Sequence, residues 1–307
     1  MVIPSGRRDM AKHFEQDFEM SQRRASGLAQ VSRSVLRYRS KRDHDSGVRK
    51  QLNRLATERP RFGYRRLTVL LHREGLTINH KRVFRIYQEE GLAVRRKRRK
   101  RRAQAPRERL VAATAPNQRW SMDFISDTLE NGRSIRVLTI VDAFSRLSPA
   151  IEIDTSIAGD RVTRVLERAG ELHGFPETIM VDNGPEFTSK VLDAWAHRRG
   201  IQLHFIRPGK PVENAFAESF NGRLREECLN QHVFADLRAA DELIRSWHAD
   251  YNHVRPHTSL GGLSPIQALA RRRVQHAEHG DRPSKPLPKT NPPALQSQPT
   301  DSQANWT

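Results

Sequence analysis

Trp120-Ser-Met-Asp-Phe-Ile-Ser-Asp-Thr-Leu129, then Asn131-Gly132, then Arg136-Val-Leu-Thr-Ile-Val141 is the stretch from which the fold follows. The first run reads as a strand over 120–129. Asn-Gly is the dipeptide that most readily accepts the positive φ angles of a two-residue hairpin turn. The third run is continuously apolar or β-branched and reads as a buried strand. Outward from this hairpin, Ser148–Ile153 is a third strand and residues 160–173 form an amphipathic helix. Thr178–Val181 is a short strand ending at Asp182. A helix over 187–199, a strand over Ile201–Ile206 and helices over 213–228 and 236–250 complete the segment.

Three antiparallel strands, a helix, and then strand-helix-strand-helix is the order of an RNase H-like α/β core, a mixed five-stranded sheet flanked by helices. Such a core places one aspartate in the middle of the first strand, another at a strand end and a glutamate on a helix. Asp123, Asp182 and Glu218 occupy those places, the last two separated by 35 residues. Hard divalent cations take oxygen ligands, and Mg²⁺ is held by a few carboxylates with water and phosphate. Two such ions about 4 Å apart stabilise both the attacking and the leaving oxygen of an in-line displacement on a phosphodiester. The acids therefore point to strand cleavage and joining with two Mg²⁺ ions. Asp127, Asp142 and Glu186 are rival carboxylates: Asp142 is a candidate for lining the same pocket, and Glu186 for orienting the loop after Asp182.

The helix over 213–228 has a readable face. Phe216, Phe220 and Leu224 recur at every fourth position, stack along one side of the helix and define the expected buried face. Asn214, Glu218, Asn221 and Arg225 recur at intervals of four, three and four and gather on the other side. Glu218 is thus expected to face outward as a metal ligand, with Asn221 and Arg225 beside it along DNA.

Composition locates a nucleic-acid partner. The chain has 307 residues and a net charge of +19. Residues 1–113 hold 31 basic and 11 acidic side chains, whereas residues 114–274 hold 20 and 21. The first third therefore carries the excess, as expected of the part that neutralises phosphates. Within it, Val48-Leu52-Leu55, Leu67-Leu70-Leu71 and Val83-Phe84-Ile86-Tyr87 form three helical stripes, the second ending at Gly75 and the third at Gly91. The turn at Gly75 and the helix opened by Asn79 suit a helix-turn-helix. A three-helix structural bundle would show the same stripes; the surplus of Arg and Lys on the polar faces favours DNA. Candidate DNA contacts are Arg65, Arg66, Lys81 and Arg82 here. Arg95, Arg96, Lys97 and Arg98 lie in the following run of eight cations, and Lys210 near the acids.

The domain division expected is an N-terminal helical segment over 1–42, with a second, weaker helix-turn-helix signal at 20–38, then a helix-turn-helix-like domain over 43–94. A basic linker over 95–116, the catalytic core over 117–274 and a disordered tail over 275–307 follow. The tail is rich in Pro, Ser, Gln and Asn, without apolar periodicity. One cysteine, Cys228, excludes an internal disulfide framework and a Cys-rich zinc module. His253 and His257 read as structural or DNA-proximal rather than as zinc ligands. No apolar run approaches the ~20 residues needed to span a bilayer, so a soluble, cytoplasmic protein without a membrane partner is expected.

These features resemble the second-frame (OrfB) transposases of the insertion-sequence-three family, relatives of retroviral integrases. The resemblance is carried by Asn117-Gln-Arg-Trp-Ser-Met-Asp-Phe124, Asp182-Asn-Gly-Pro-Glu-Phe187, Pro208-Gly-Lys-Pro211 and the segment from Glu218 to Leu229. Tyr251-Asn-His-Val-Arg-Pro-His257 and Arg59-Pro-Arg-Phe-Gly-Tyr-Arg-Arg66 add to it. Glu213 and Ala215 stand where the family usually has Gln and Gly, and Gln30 where a turn glycine is common. The resemblance implies a DDE recombinase using Mg²⁺ or Mn²⁺, whose metal ligands are Asp123, Asp182 and Glu218, acting on element ends and target DNA as a homo-oligomer. It also implies the downstream product of two reading frames, with the upstream-frame product as a partner. Two other classes compete: a DNA-binding regulator with an inactive core, against which the intact acids argue, and an RNase H-type or junction nuclease, against which the basic first third argues.

Overall fold

The computed structural model describes residues 4–38, 45–94, 112–207 and 214–278. Arg95, Arg96, Lys97, Arg98 and Lys210 lie outside the described residues, as does the tail from 279. Three helices open the chain: α1 (Pro4–Asp17), α2 (Gln22–Leu28) and α3 (Arg33–Arg37). Ser21 and Ser32 cap α2 and α3 through their hydroxyls. Gln30 between them takes a φ of +52°, so the tight turn forms although the position lacks the glycine that would enter it without strain.

Helices α4 (Ser46–Glu58), α5 (Tyr64–Arg73) and α6 (His80–Glu89) enclose a separate core built on Leu52, Leu67, Leu71, Val83 and Ile86. Between α5 and α6 the chain reverses at Gly75, whose φ of +86° a β-carbon would oppose, and Asn79 caps α6 by accepting from the Lys81 amide.

The larger unit is a five-stranded sheet in the order β3-β2-β1-β4-β5. Its strands are β1 (Arg119–Thr128), β2 (Ser134–Asp142), β3 (Ile151–Asp154), β4 (Thr178–Val181) and β5 (Gln202–Phe205). β1, β2 and β3 pair antiparallel, whereas β4 is parallel to β1 and β5 to β4. The β1–β2 hairpin closes through Gly132 at φ +81°, with the Leu129 amide donating to the Arg133 carbonyl. This is the mixed sheet of an RNase H-like core.

Alternation along the strands splits the interior in two. Trp120, Met122, Leu138, Ile140, Ile179 and Val181 pack on α7 (Gly159–His173) and α8 (Lys190–Arg199). Ile125, Val137, Val141, Ile151 and Ile153 pack on α9 (Ala215–Glu227) and α10 (Leu237–His253). Each fully buried aliphatic or aromatic side chain stabilises the fold by about 1.5–3 kcal/mol. A last helix, α11 (Pro265–Glu278), runs through the expected end of the core at 274.

One reading of the sequence is corrected by α9. Phe216 is only half-buried and lies under the Arg146 guanidinium, 4.1 Å from its ring centroid. The face turned to the sheet is instead Ala217, Phe220, Asn221 and Leu224. The helix is rotated from the apolar expectation because two asparagines, Asn214 and Asn221, find hydrogen-bond partners in the sheet.

Candidate active site

The register of β1 and β4 builds the centre of the site. Trp120 is level with Ile179 and Ser121 with Met180. Continued two residues along both strands, that register sets Asp123 beside Asp182, across a strand spacing of ~4.8 Å. Met122 and Val181 point into the α7–α8 core, so alternation turns Asp123 and Asp182 to the opposite face, the one covered by α9. α9 packs over β1 and β2 and carries Glu218, exposed to solvent, one turn before Asn221. Among the described residues, no three acidic, histidine or cysteine side chains already close into a finished metal cage.

Asp123 is the electrostatic focus. Its Oδ1 accepts the Phe124 amide at 2.7 Å and its Oδ2 accepts the Asn221 side-chain amide at 3.0 Å. Burial, with the charges of Asp182 and Glu218 nearby, nevertheless pushes its carboxyl up to about 6, these two hydrogen bonds only partly opposing the shift. Burial also raises Glu218. Asp182 accepts the Gly184 amide through Oδ1 at 2.9 Å. Among the described residues, no Lys, Arg or His forms an ion pair with Asp123, Asp182 or Glu218. A partly buried, like-charged set of carboxylates is what a divalent cation fits.

Several supporting residues lack a local sequence signal. Thr139 stands opposite Asp123 on β2 and its hydroxyl lies 3.0 Å from the Asp123 carbonyl and 2.8 Å from Asn221 Oδ1. Asn214 donates to the Met122 carbonyl at 3.0 Å. Asn221, expected along DNA, is 8% exposed and holds the Asp123 carboxylate instead. Two asparagines on one helix face were visible in the sequence, but only the sheet beneath them reveals that the face is inward. Arg136 lies 4.1 Å from the Phe124 ring centroid and pairs with Glu186, which is thereby held below its ordinary value. A β-carbon at Gly184 would meet Asp182 Oδ1 at 3.0 Å and Glu186 Oε2 at 3.3 Å, so the loop after Asp182 admits only glycine without displacement.

Other candidates are placed elsewhere. Asp142 is buried and satisfied by the amides of Asn117 and Ser145 and by the Ser145 hydroxyl, a structural role near the start of β1. His257 is buried edge-on against Tyr251 and is pushed down to about 3 by burial. Arg225 donates to the Ser126 carbonyl at 2.6 Å. Arg66, expected on DNA, is paired with Glu227 of α9, and burial lowers it to about 10. Arg82, also expected on DNA, is paired with the buried Asp45, as is Arg85. Arg65 and Lys81 are exposed. Phe84, expected in the apolar stripe of α6, instead lies at the surface with its ring 4.7 Å from that of Tyr64, because Val83, Ile86 and Tyr87 already fill the face turned to the core. No described helix is long and apolar enough to cross a membrane.

The integrase core domain family matches residues 113–211, a second integrase core domain family matches 199–265, and an HTH-like domain matches 43–100. The chain is 48% identical over 256 residues to the insertion element IS407 uncharacterized 31.7 kDa protein of Burkholderia multivorans, covering 83% of this chain and 92% of that one. It is 30% identical to the putative transposase InsK for insertion sequence element IS150 of Escherichia coli, covering 78% and 90% of the two chains. Among solved structures, a chain of the simian T-cell lymphotropic virus intasome aligns over 80% of both chains at 19% identity, with a TM-score of 0.48. Integrase core, helix-turn-helix unit and insertion-element relatives agree, and the chain belongs to the OrfB-type transposases of the insertion-sequence-three family, DDE polynucleotidyl transferases.

Proposed function

We propose that this transposase cuts the ends of its insertion element and joins each 3′-hydroxyl to a target phosphodiester, with Asp123, Asp182 and Glu218 as ligands of Mg²⁺ or Mn²⁺. The observation that supports the reading is the β1–β4 register, with Ser121 level with Met180; continued two residues it would bring Asp123 level with Asp182 beneath α9, which bears Glu218. When bound, a pair of divalent ions supplies Lewis-acid stabilisation of the attacking and leaving oxygens. The chain supplies the placement. Asn221 and the Phe124 amide each occupy one lone pair of the Asp123 carboxylate, leaving a second lone pair on each oxygen. Thr139 fixes Asn221, and the Gly184 amide fixes Asp182.

The reaction joins the 3′-oxygen to phosphorus as the existing P–O bond to the target strand breaks in line. The attacking hydroxyl gives up its proton, and the departing 3′-oxygen takes one. Arg225, at the far end of the Glu218 face, contacts the DNA backbone. The exposed face of α6 contributes Lys81 to the groove, and Arg65 on α5 adds a phosphate contact. The chain works as an oligomer on DNA that brings two element ends together, with the upstream-frame product as a further partner.

Asp182→Asn tests the mechanism. Strand transfer of an end-labelled duplex should fall by on the order of a thousandfold or more, a loss of several kcal/mol of transition-state stabilisation. Binding of the same duplex should persist. Strand transfer at a near-normal rate in this variant would contradict the assignment.

A further inference from the structure

The strip Arg59-Pro-Arg-Phe-Gly-Tyr-Arg-Arg66 holds the candidate DNA contacts Arg65 and Arg66, yet Arg59, Phe62 and Arg66 are turned onto the catalytic core. Phe62, Arg66, Val69 and Arg73 succeed one another along one side of α5 and its entry turn. Arg59 makes two hydrogen bonds of 2.6 Å to the Asp250 carboxylate of α10. Arg66 donates to Glu227 at 3.0 Å, and Arg255 grips both oxygens of the same carboxylate at 2.7 Å. Phe62 is buried between guanidinium groups, those of Arg59 and Arg66 lying 5.3 and 5.2 Å from its ring centroid.

Farther along α5, Arg73 donates to the Gly262 carbonyl at 2.9 Å and to Gln267 at 3.0 Å. A β-carbon at Gly262 would meet Val69 at 3.2 Å. The two units are therefore joined by a packed and bonded seam along the length of a helix.

Two features give this seam a consequence for the reaction. Glu227 is the last residue of α9, the helix that carries Glu218, so the seam holds the far end of the catalytic helix. Its cross-unit pairs are partly shielded: the side chains of Arg66 and Glu227 are 23% and 7% exposed, with Glu227 also held by the buried Arg255. Meanwhile α6 keeps Lys81 and Phe84 in solvent. The helix-turn-helix unit can thus hold a duplex through α6 without leaving the core. The connection from α6 to β1 runs through positions 90–118. A chain of that length could span ~100 Å and sets no orientation by itself.

We infer that Glu227 and Asp250 are positioning residues that lock the helix-turn-helix unit to the catalytic core, so that a DNA end held by α6 reaches the carboxylates at one phosphate. The inference rests on the strand-cutting reading above. A misplacement of ~1 Å at a reacting centre can cost ~100-fold in rate, so a loosened seam should blur the cut as well as slow it. Charge–charge contacts at the DNA surface weaken in salt, whereas pairs shielded from water are screened much less. The partly shielded pairs of the seam therefore weaken less in salt than fully exposed contacts to DNA.

The Arg59–Asp250 pair permits a clean test, because both side chains keep about a quarter of their surface in solvent, 25% and 22%, and accept a reversed charge. The full-length chain is compared with Arg59→Asp, Asp250→Arg and the double variant. Each carries spin labels on K50C and K190C, both exposed positions, with Cys228 buried. The probe is an end-labelled duplex of the element's terminal repeat in Mg²⁺. The wild-type background should give one narrow label distance and one cut. Each single variant should broaden the distance, spread cuts to neighbouring phosphates and slow the correct cut by on the order of tenfold or more. Duplex binding should remain near wild type, and the double variant should restore distance and cut together.

Single variants that keep the narrow distance and the single cut overturn the lock, as does a double variant that restores neither. A wild-type chain that, supplied with the upstream-frame product, binds the end but never cuts it overturns the strand-cutting reading instead.

Discussion

Asp123→Asn separates the electrostatic cost of the site from its chemistry. In the folded chain the Asp123 carboxyl is pushed up to about 6 from an ordinary value of 3.8, first by burial and then by Asp182 and Glu218. A folded-state value above the unfolded one means that the protonated form favours folding. That contribution is complete below about pH 3.8 and is lost as pH rises through about 6. The shift corresponds to a ceiling of about 3 kcal/mol at neutral pH. Residual solvent at the site and relaxation around it reduce the expected effect to about 1–2 kcal/mol. The new side chain keeps the shape of aspartate and, like the protonated carboxyl, offers one carbonyl oxygen, to either Asn221 or the Phe124 amide. Urea unfolding in EDTA should therefore show the variant more stable than wild type at pH 7.5, with the difference shrinking toward zero below pH 4. Mg²⁺ reverses the order. A ligand at a hundred times its Kd stabilises the state that binds it by about 2.7 kcal/mol, and only the wild type gains this. A variant less stable than wild type in EDTA at pH 7.5, or a difference independent of pH, would refute the account of Asp123 as a buried anion awaiting a cation.

Thr139→Val leaves the buried Asn221 oxygen without its donor, which should destabilise the fold by about 1–3 kcal/mol and weaken Mn²⁺ binding by ~10–100-fold in a calorimetric titration. Phe84→Ala removes an uncharged ring packed on Tyr64 and should leave the salt slope of duplex binding unchanged. Lys81→Ala, by contrast, should lower affinity evenly and reduce the magnitude of the slope by ~1. Arg225→Ala should likewise lower that slope by ~1 without altering metal affinity; an unchanged slope would assign Arg225 solely to the Ser126 carbonyl that it already holds.

The hairpin, the succession of strands and helices, and the places of Asp123 and Asp182 along them were legible because each rests on local physics. Asn131-Gly132 sets a turn, short β-rich runs set strands, and Asp123 and Asp182 occupy a strand interior and a strand end. The rotation of α9 was not legible. Phe216 looks like core by composition, and only the stacked Arg146 and the sheet carbonyl beneath Asn214 turn the helix so that amides face inward. The role of the arginines was equally hidden. Arg66 and Arg82 are indistinguishable by local sequence from phosphate contacts, yet Arg66 meets Glu227 and Arg82 meets Asp45. Sequence by itself determined which residues are charged and which segments bury an apolar stripe, because those depend on side-chain chemistry and backbone periodicity. The tertiary structure decided which charges are left for DNA, because a guanidinium pairs with whichever carboxylate the fold brings within reach, and for Arg66 that carboxylate lies 161 residues away.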